Sequence, residues 1–152
     1  MPVEEDELEA AMDNAVRLHG HLGPFLIIGV RMGRIAKKTL NPKSEGDVKM
    51  QAMLKIPLYT PFSCVIDGVQ ATTNCTIGNQ KLRIENSLGE ILGRFELQNP
   101  SRTFEIIVNQ DIVEGLAQKM SEGTASEELA TKVAFMPESQ LFKKRSRFGK
   151  CR

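Results

Sequence analysis

The two histidines of this chain, His19 and His21, are separated by a single residue. They lie in the segment HGHLGP (residues 19–24), whose two glycines and proline predict a tight turn. In a turn-like backbone this spacing can direct both imidazole rings to one side, as a metal site requires. The alternative is that one ring caps the carbonyls of a preceding helix while the other is exposed to solvent.

A second group of reactive residues follows in the middle of the chain. Cys64 and Cys75 flank a segment that is predicted to form a helix capped by Ser63 and running to about Val69. On that helix Asp67 lies three residues after Cys64 and therefore shares its face. Two imidazoles and two thiolates form the donor set of a tetrahedral zinc site or of a softer transition-metal site. Isolated cysteines, however, are more often small buried residues than metal ligands.

Helices are predicted on both sides of the histidine turn. Residues 5–18 repeat apolar side chains at spacings of three and four, with acidic residues in the first turn, which predicts an amphipathic helix. Pro24 suits the first position of a second helix that is predicted to run to Leu40. Gly29 and Gly33 lie four residues apart on one face of this helix and predict close packing against another helix.

Strands are predicted in the middle of the chain and helices again near its end. The predicted strands are residues 48–59, 81–86, 90–98 and 103–108. The predicted C-terminal helices are residues 110–121 and 124–135, followed by a short turn from Pro137. The last three strands most simply form an antiparallel meander. This order predicts a single α+β domain over residues 1–142, with an antiparallel or mixed sheet packed against N-terminal and C-terminal helices.

The composition excludes several functional classes. A net charge of +1 and a charged fraction of 26% give no overall field that would recruit nucleic acid or an anionic membrane. We expect a cytoplasmic protein, because the first residues lack the pattern of a secretory signal and no apolar run approaches the ~18 residues of a membrane span.

The last ten residues, 143–152, are predicted to be a solvated basic tail that contains six lysines and arginines. Binding of RNA or DNA by this tail is the less favoured alternative. Cys151 lies in the tail and is interpreted as incidental.

Two segments together resemble motifs of the FmdE family, which is named after formylmethanofuran dehydrogenase. HGHLGP (19–24) and GVRMG (29–33) are similar to the family's His-Gly-His-x-Cys-Pro opening, which is followed by Gly-x-x-Met-Gly. CVIDGVQ (64–70) and TNCTIGN (73–79) resemble its Cys-x-x-Asp helix and the Gly-Cys-Thr-x-Gly-Lys turn that follows. The resemblance extends from about Leu8 to about Phe142 in the family's order.

Three positions depart from these motifs. Gly23 stands where the family usually has a cysteine, which removes a candidate ligand or nucleophile. Asn74 and Asn79 stand where the family usually has glycine and lysine, which weakens the transfer of a phosphate-binding or cationic role to this turn. The chain also lacks the zinc-ribbon-like module of many members, so it resembles the core domain alone.

The resemblance implies a metal-binding accessory protein of formylmethanofuran dehydrogenase, in the one-carbon, methanogenesis-type metabolism of archaea and related anaerobes. Zinc is the expected metal, with Asp67 orienting one imidazole. The expected ligands are His19, His21, Cys64 and Cys75. Thr76 is a candidate cofactor-binding pocket residue by its position in the family motif. The dehydrogenation itself needs a molybdenum or tungsten cofactor and iron–sulfur clusters, for which this chain has no cysteine set.

Two other functions stay open at this point. In the first, Cys64 is a catalytic nucleophile that His21 deprotonates, while Asp67 orients the imidazole and the helix N-terminus lowers the thiol pKa. In the second, the chain is a non-enzymatic adaptor or carrier, expected to form a homodimer and to dock other subunits of formylmethanofuran dehydrogenase.

Overall fold

The computed structural model of the chain describes residues 2–41, 50–98 and 101–148. Its helices are α1 Pro2–His19, α2 Pro24–Leu40, α3 Cys64–Thr73, α4 Gln110–Ser121, α5 Ser126–Phe135 and α6 Glu138–Leu141. Its strands are β1 Gln51–Ile56, β2 Leu82–Asn86, β3 Leu92–Gln98, β4 Ser101–Val108 and β5 Phe142–Phe148. The predicted α+β class is therefore confirmed. None of the helices in the described ranges is long and apolar enough to cross a membrane.

The five strands form one mixed sheet in the order β2-β1-β3-β4-β5. β1 and β2 are parallel, and the other neighbours are antiparallel. The predicted meander is thus wrong at its first member, because β1 lies between β2 and β3. Helix α3 connects β1 to β2, and a helical crossover is what joins parallel strands.

One face of the sheet is covered by helices and the other is polar. Phe95 of β3 is buried opposite Phe104 of β4, whereas the next-door Arg94 is exposed. The covering element is α2, since a Cβ on Gly93 would lie 2.7 Å from the Met32 sulfur. On the open face, Glu105 forms ion pairs with Arg94 at 3.1 Å and with Arg145 at 3.0 Å. The sheet therefore supports the functional half of the molecule from one side only.

Helices α2 and α3 cross at very short range. A Cβ on Gly29 would lie 2.2 Å from the Val65 carbonyl oxygen, and one on Gly68 would lie 2.3 Å from the Leu26 carbonyl oxygen. Only glycine permits backbones to approach so closely. The predicted close packing of the glycine face is confirmed, and it brings the beginnings of α2 and α3 together.

Residues 143–148, predicted as part of a basic tail, belong instead to the edge strand β5. They pair antiparallel with β4, from Lys143 opposite Ile107 to Phe148 opposite Arg102. Residues 143–147 are all exposed, so the strand carries no apolar alternation that the sequence would reveal. Lysine and arginine are common on edge strands because they discourage further strand pairing. Residues 149–152, including Cys151, lie outside the described part of the chain.

Candidate functional site

The histidine turn is built where α1 ends and α2 begins. Gly20 has a φ of +105°, which favours glycine, and its N–H donates to the Val16 carbonyl at 2.7 Å. This reversal places the His19 and His21 rings beside each other, with centroids 4.8 Å apart. Pro24 then opens α2 as predicted. The Ser126 hydroxyl of α5 secures the turn by donating to the Leu22 carbonyl at 3.0 Å.

The His19 ring is oriented by Asp67. Its Nδ1 lies 2.8 Å from the Asp67 Oδ2 atom. A carboxylate can only accept a hydrogen bond, so Nδ1 carries the proton and Nε2 of the neutral ring is left with a free lone pair. That Nε2 is buried and has no hydrogen-bond partner among the described residues. The expected orienting role of Asp67 therefore falls on His19 and not on His21.

The second oxygen of Asp67 is also engaged. Gln70 donates from Nε2 to the Asp67 Oδ1 atom at 3.1 Å, and its Oε1 accepts the Ile77 backbone N–H at 3.1 Å. Sequence reasoning missed Gln70. The available signal was its spacing of three residues from Asp67, which places both side chains on one face of α3.

Cys64 is the first residue of α3 and is buried. The predicted Ser63 cap is wrong, because the Ser63 side chain makes no capping hydrogen bond. A turn positions Cys64 instead, with its N–H donating to the Pro61 carbonyl at 3.1 Å. Burial, and then the negative charge of Asp67, raise the pKa of the Cys64 thiol. The expected lowering by the helix N-terminus is thus outweighed, and the free thiol stays protonated at neutral pH.

A small cavity of about 20 Å³ lies where these elements meet. Its lining includes His19, His21 and Cys64, with Gly23, Met120 and Ser126 completing it from the turn and from α4 and α5. A space of this size holds about one water molecule or one ion. Sequence reasoning missed Met120 and Ser126, since neither belongs to a motif and both come from the last third of the chain.

Gly23 faces this cavity at the position where the family motif has cysteine. A Cβ on Gly23 would lie 2.9 Å from the Ser126 Oγ and 3.5 Å from the His21 Nε2. Its φ of −150° is extended backbone that any residue adopts. A side chain at position 23 would therefore enter the cavity beside His21, with a small shift of the Ser126 hydroxyl.

Cys75 lies elsewhere, in the hydrophobic core. Its side chain is fully buried, and its thiol donates to the Met50 carbonyl at 3.2 Å. Burial raises its pKa as well. The structure thus brings three of the four predicted ligands to one cavity and leaves Cys75 out of its lining. Within the described ranges, no three His, Cys, Asp or Glu side chains are already arranged to hold a metal ion.

Thr76 lies in the turn after α3 and not in the cavity lining. Its Oγ1 accepts the Asn79 N–H at 3.0 Å, and Asn79 Oδ1 in return accepts the Thr76 N–H at 3.0 Å. Asn74 has a φ of 60°, a left-handed conformation in which asparagine is the common substitute for glycine. Both departures from the family motif therefore serve the shape of the turn, which contacts the histidine site only through the Ile77–Gln70 hydrogen bond.

Three comparisons relate the chain to known proteins. The family model described as "FmdE, Molybdenum formylmethanofuran dehydrogenase operon" matches residues 18–147. A probable S-adenosyl-L-methionine-binding protein of Archaeoglobus fulgidus is 32% identical over 78 residues, which are 51% of this chain and 21% of that protein. The chain thus spans about a fifth of that relative's length.

The third comparison is structural. A crystal structure of a tungsten formylmethanofuran dehydrogenase FmdE-like protein from Syntrophus aciditrophicus aligns with a TM-score of 0.64 and 19% identity. The alignment covers 94% of this chain and 73% of that chain. At this level of identity the likeness concerns the fold.

Proposed function

The chain belongs to the FmdE family, and from this premise we propose that it is an accessory protein of formylmethanofuran dehydrogenase that binds zinc in the histidine cavity. The observation that carries the proposal is the state of His19. Its Nδ1 is held by Asp67, while its Nε2 is buried without a partner among the described residues. A buried imidazole nitrogen left unpaired costs roughly 1–3 kcal/mol, which a bound metal ion would recover.

The chemistry of the lining fits a borderline-soft divalent metal. His19, His21 and Cys64 supply two imidazoles and a thiol, and the Asp67–His19 pair is the carboxylate–histidine arrangement found behind metal-bound histidines. Because these donors are not yet arranged as a metal site, the exposed His21 ring and the Cys64 side chain would turn toward the His19 Nε2. Three protein ligands leave one position open, where zinc polarises a bound water or substrate group.

The metal content of the purified protein tests the proposal. Untagged protein prepared without chelator and reconstituted with zinc is analysed by plasma mass spectrometry. We expect about one equivalent in the wild type, loss in a His19→Ala/His21→Ala variant, and a clear reduction in Cys64→Ser. Cys75→Ser is the matched control, since it changes a second buried thiol outside the cavity lining, and it should keep the metal. No metal in the wild type, or unchanged metal in the double variant, would refute zinc binding at this cavity.

An adaptor role is the second candidate, favoured by apolar side chains on the surface beside the cavity. Leu58 and Tyr59 are 49% and 62% exposed and lie just before Pro61, which lines the cavity. The Tyr59 ring packs edge-on against Phe62 with centroids 5.3 Å apart. Exposed apolar groups that cluster in this way mark protein interfaces.

The partners of this surface are proposed to be a second copy of the chain and subunits of the dehydrogenase. Light scattering of wild type and a Leu58→Ser/Tyr59→Ser variant measures self-association, and co-purification with the dehydrogenase subunits measures docking. Loss of either association at unchanged metal content is the expected result. A variant that associates like the wild type in both assays would rule out this surface.

A further inference from the structure

We propose that Gln70 is a positioning residue that fixes the tautomer of His19 by acting through Asp67. The contacts form one continuous series from the Ile77 N–H to the Gln70 carboxamide, to the Asp67 carboxylate and to the His19 Nδ1. Its last member is the imidazole whose Nε2 is buried at the cavity. The inference about the tautomer stands with or without a bound metal, whereas its effect on metal affinity rests on the proposed function.

The orientation of the Gln70 amide is set by both of its partners. A backbone N–H can only donate, so the Gln70 oxygen must face Ile77. A carboxylate can only accept, so the Gln70 nitrogen must face Asp67. Rotating the amide by half a turn would oppose like groups at both contacts, each of which is 3.1 Å long.

Asp67 needs this support because packing does not immobilise it. Its side chain is 31% exposed, compared with 15% for His19. A partly exposed carboxylate can rotate toward water unless hydrogen bonds hold it. Gln70 holds Oδ1, and this leaves Oδ2 directed at the His19 Nδ1. The proton of the neutral ring is therefore kept on Nδ1, and the lone pair of Nε2 is kept at the cavity.

The turn that follows α3 is the fixed end of this series. Mutual hydrogen bonds between Thr76 and Asn79 hold its backbone, and Asn79 also donates from Nδ2 to the Asn74 carbonyl at 2.7 Å. The Ile77 N–H thus has a defined direction from which it can anchor Gln70. This gives the turn a role in the histidine site although Thr76 is not among the residues that line the cavity.

The tautomer of His19 tests the proposal in metal-free, nitrogen-15-labelled protein. Long-range proton–nitrogen spectra at about pH 8, above the ordinary histidine pKa of ~6.5, show which ring nitrogen carries the proton. Gln70→Met removes both contacts of the amide. Gln70→Glu keeps an acceptor for the Ile77 N–H but removes the donor to Asp67. Gln118→Met is the matched control, because Gln118 makes a similar contact of 2.9 Å to Glu122 on α4.

The expected result is an Nδ1-protonated His19 in the wild type and in Gln118→Met, and a substantial Nε2-protonated population in both Gln70 variants. Hydrogen exchange of the Ile77 amide should stay protected in Gln70→Glu. If that variant keeps the wild-type tautomer along with Ile77 protection, Gln70 serves only the turn and the proposal is overturned. A wild-type tautomer in folded Gln70→Met overturns it as well.

The second readout is zinc affinity, measured by competition with a chromophoric chelator. Removal of a group that supports a metal-bound histidine typically weakens binding 10–100-fold, and we expect about tenfold for Gln70→Met. A wild type that binds no zinc would remove the proposed function, but the tautomer result would still decide the role of Gln70.

Discussion

At the level of single residues, the two buried thiols differ in their neighbours although burial raises the pKa of both. Cys64 lies at the cavity next to the charge of Asp67. Cys75 is enclosed by the core and bonded to the Met50 carbonyl. Since a raised pKa means a smaller thiolate fraction at neutral pH, neither thiol is a preformed nucleophile in the metal-free protein.

This difference predicts how the thiols react with iodoacetamide. Cys64 should label slowly at pH 7 and progressively faster as the pH rises above the ordinary thiol pKa of ~8.5, because only the thiolate reacts. Cys75 should stay unlabelled in the native state at either pH. Peptide mapping by mass spectrometry after timed labelling separates the two. Rapid labelling of Cys64 at neutral pH would favour the nucleophile hypothesis over metal binding.

Gly23 offers a gain-of-function test. In Gly23→Cys the new thiol enters the cavity beside His21, and as a further soft ligand it should strengthen zinc binding by about tenfold or more. Gly23→Ala is the control, since it introduces the same Cβ near the Ser126 hydroxyl without a donor atom. Chelator competition measures both. Equal affinities of the cysteine and alanine variants would contradict a metal centre at this cavity.

Residue types and spacing were enough to identify His19, His21, Cys64 and Asp67 from the sequence. They could not identify Gln70, Met120 or Ser126, whose roles depend only on where the fold places them. Cys75 was assigned with the same reasoning as Cys64, yet it follows the left-handed Asn74 and points into the core. Cysteine spacing alone does not encode the direction of a side chain.

Among the secondary structure elements, the crossing of α2 and α3 has the tightest steric limits. Gly68→Ala would place a Cβ 2.3 Å from the Leu26 carbonyl oxygen, so we expect a loss of about 2–3 kcal/mol in the free energy of unfolding. Gly115→Ala is the matched control in α4, where nothing lies within 4 Å of the new Cβ. It should stabilise the protein by ~0.5–1 kcal/mol. Urea denaturation followed by circular dichroism measures both, and equal stabilities would contradict the close crossing.

Most elements could be predicted because their periodicity reflects burial. Helix α4 has the predicted bounds Gln110–Ser121, and the glycine face of α2 packs as expected. The pairing of β2 with β1 could not be predicted in the same way. Alternation identifies a strand and its buried face, but the neighbour of that strand depends on the α3 crossover and on the whole sheet.

For the molecule as a whole, β5 decides where the folded domain ends. Deleting residues 143–152 removes the strand that pairs with β4, so the free energy of unfolding should fall by more than ~2 kcal/mol. The control replaces Lys143, Lys144, Arg145 and Arg147 with glutamine and keeps the strand. It should change stability by less than ~1 kcal/mol, because exposed ion pairs contribute little. Thermal and urea unfolding measure both, and a truncated chain as stable as the wild type would restore the tail interpretation.

The cavity collects side chains from regions that are far apart in the sequence, from His19 through Cys64 to Ser126. During protein synthesis the chain emerges from its N-terminus, so the histidine segment leaves the ribosome long before α4 and α5 exist. A nascent chain can offer an ion two imidazoles on an unfolded peptide, but it cannot offer the enclosed cavity. Metal delivery in the cell is thus expected to act on the completed chain, after translation of its last third.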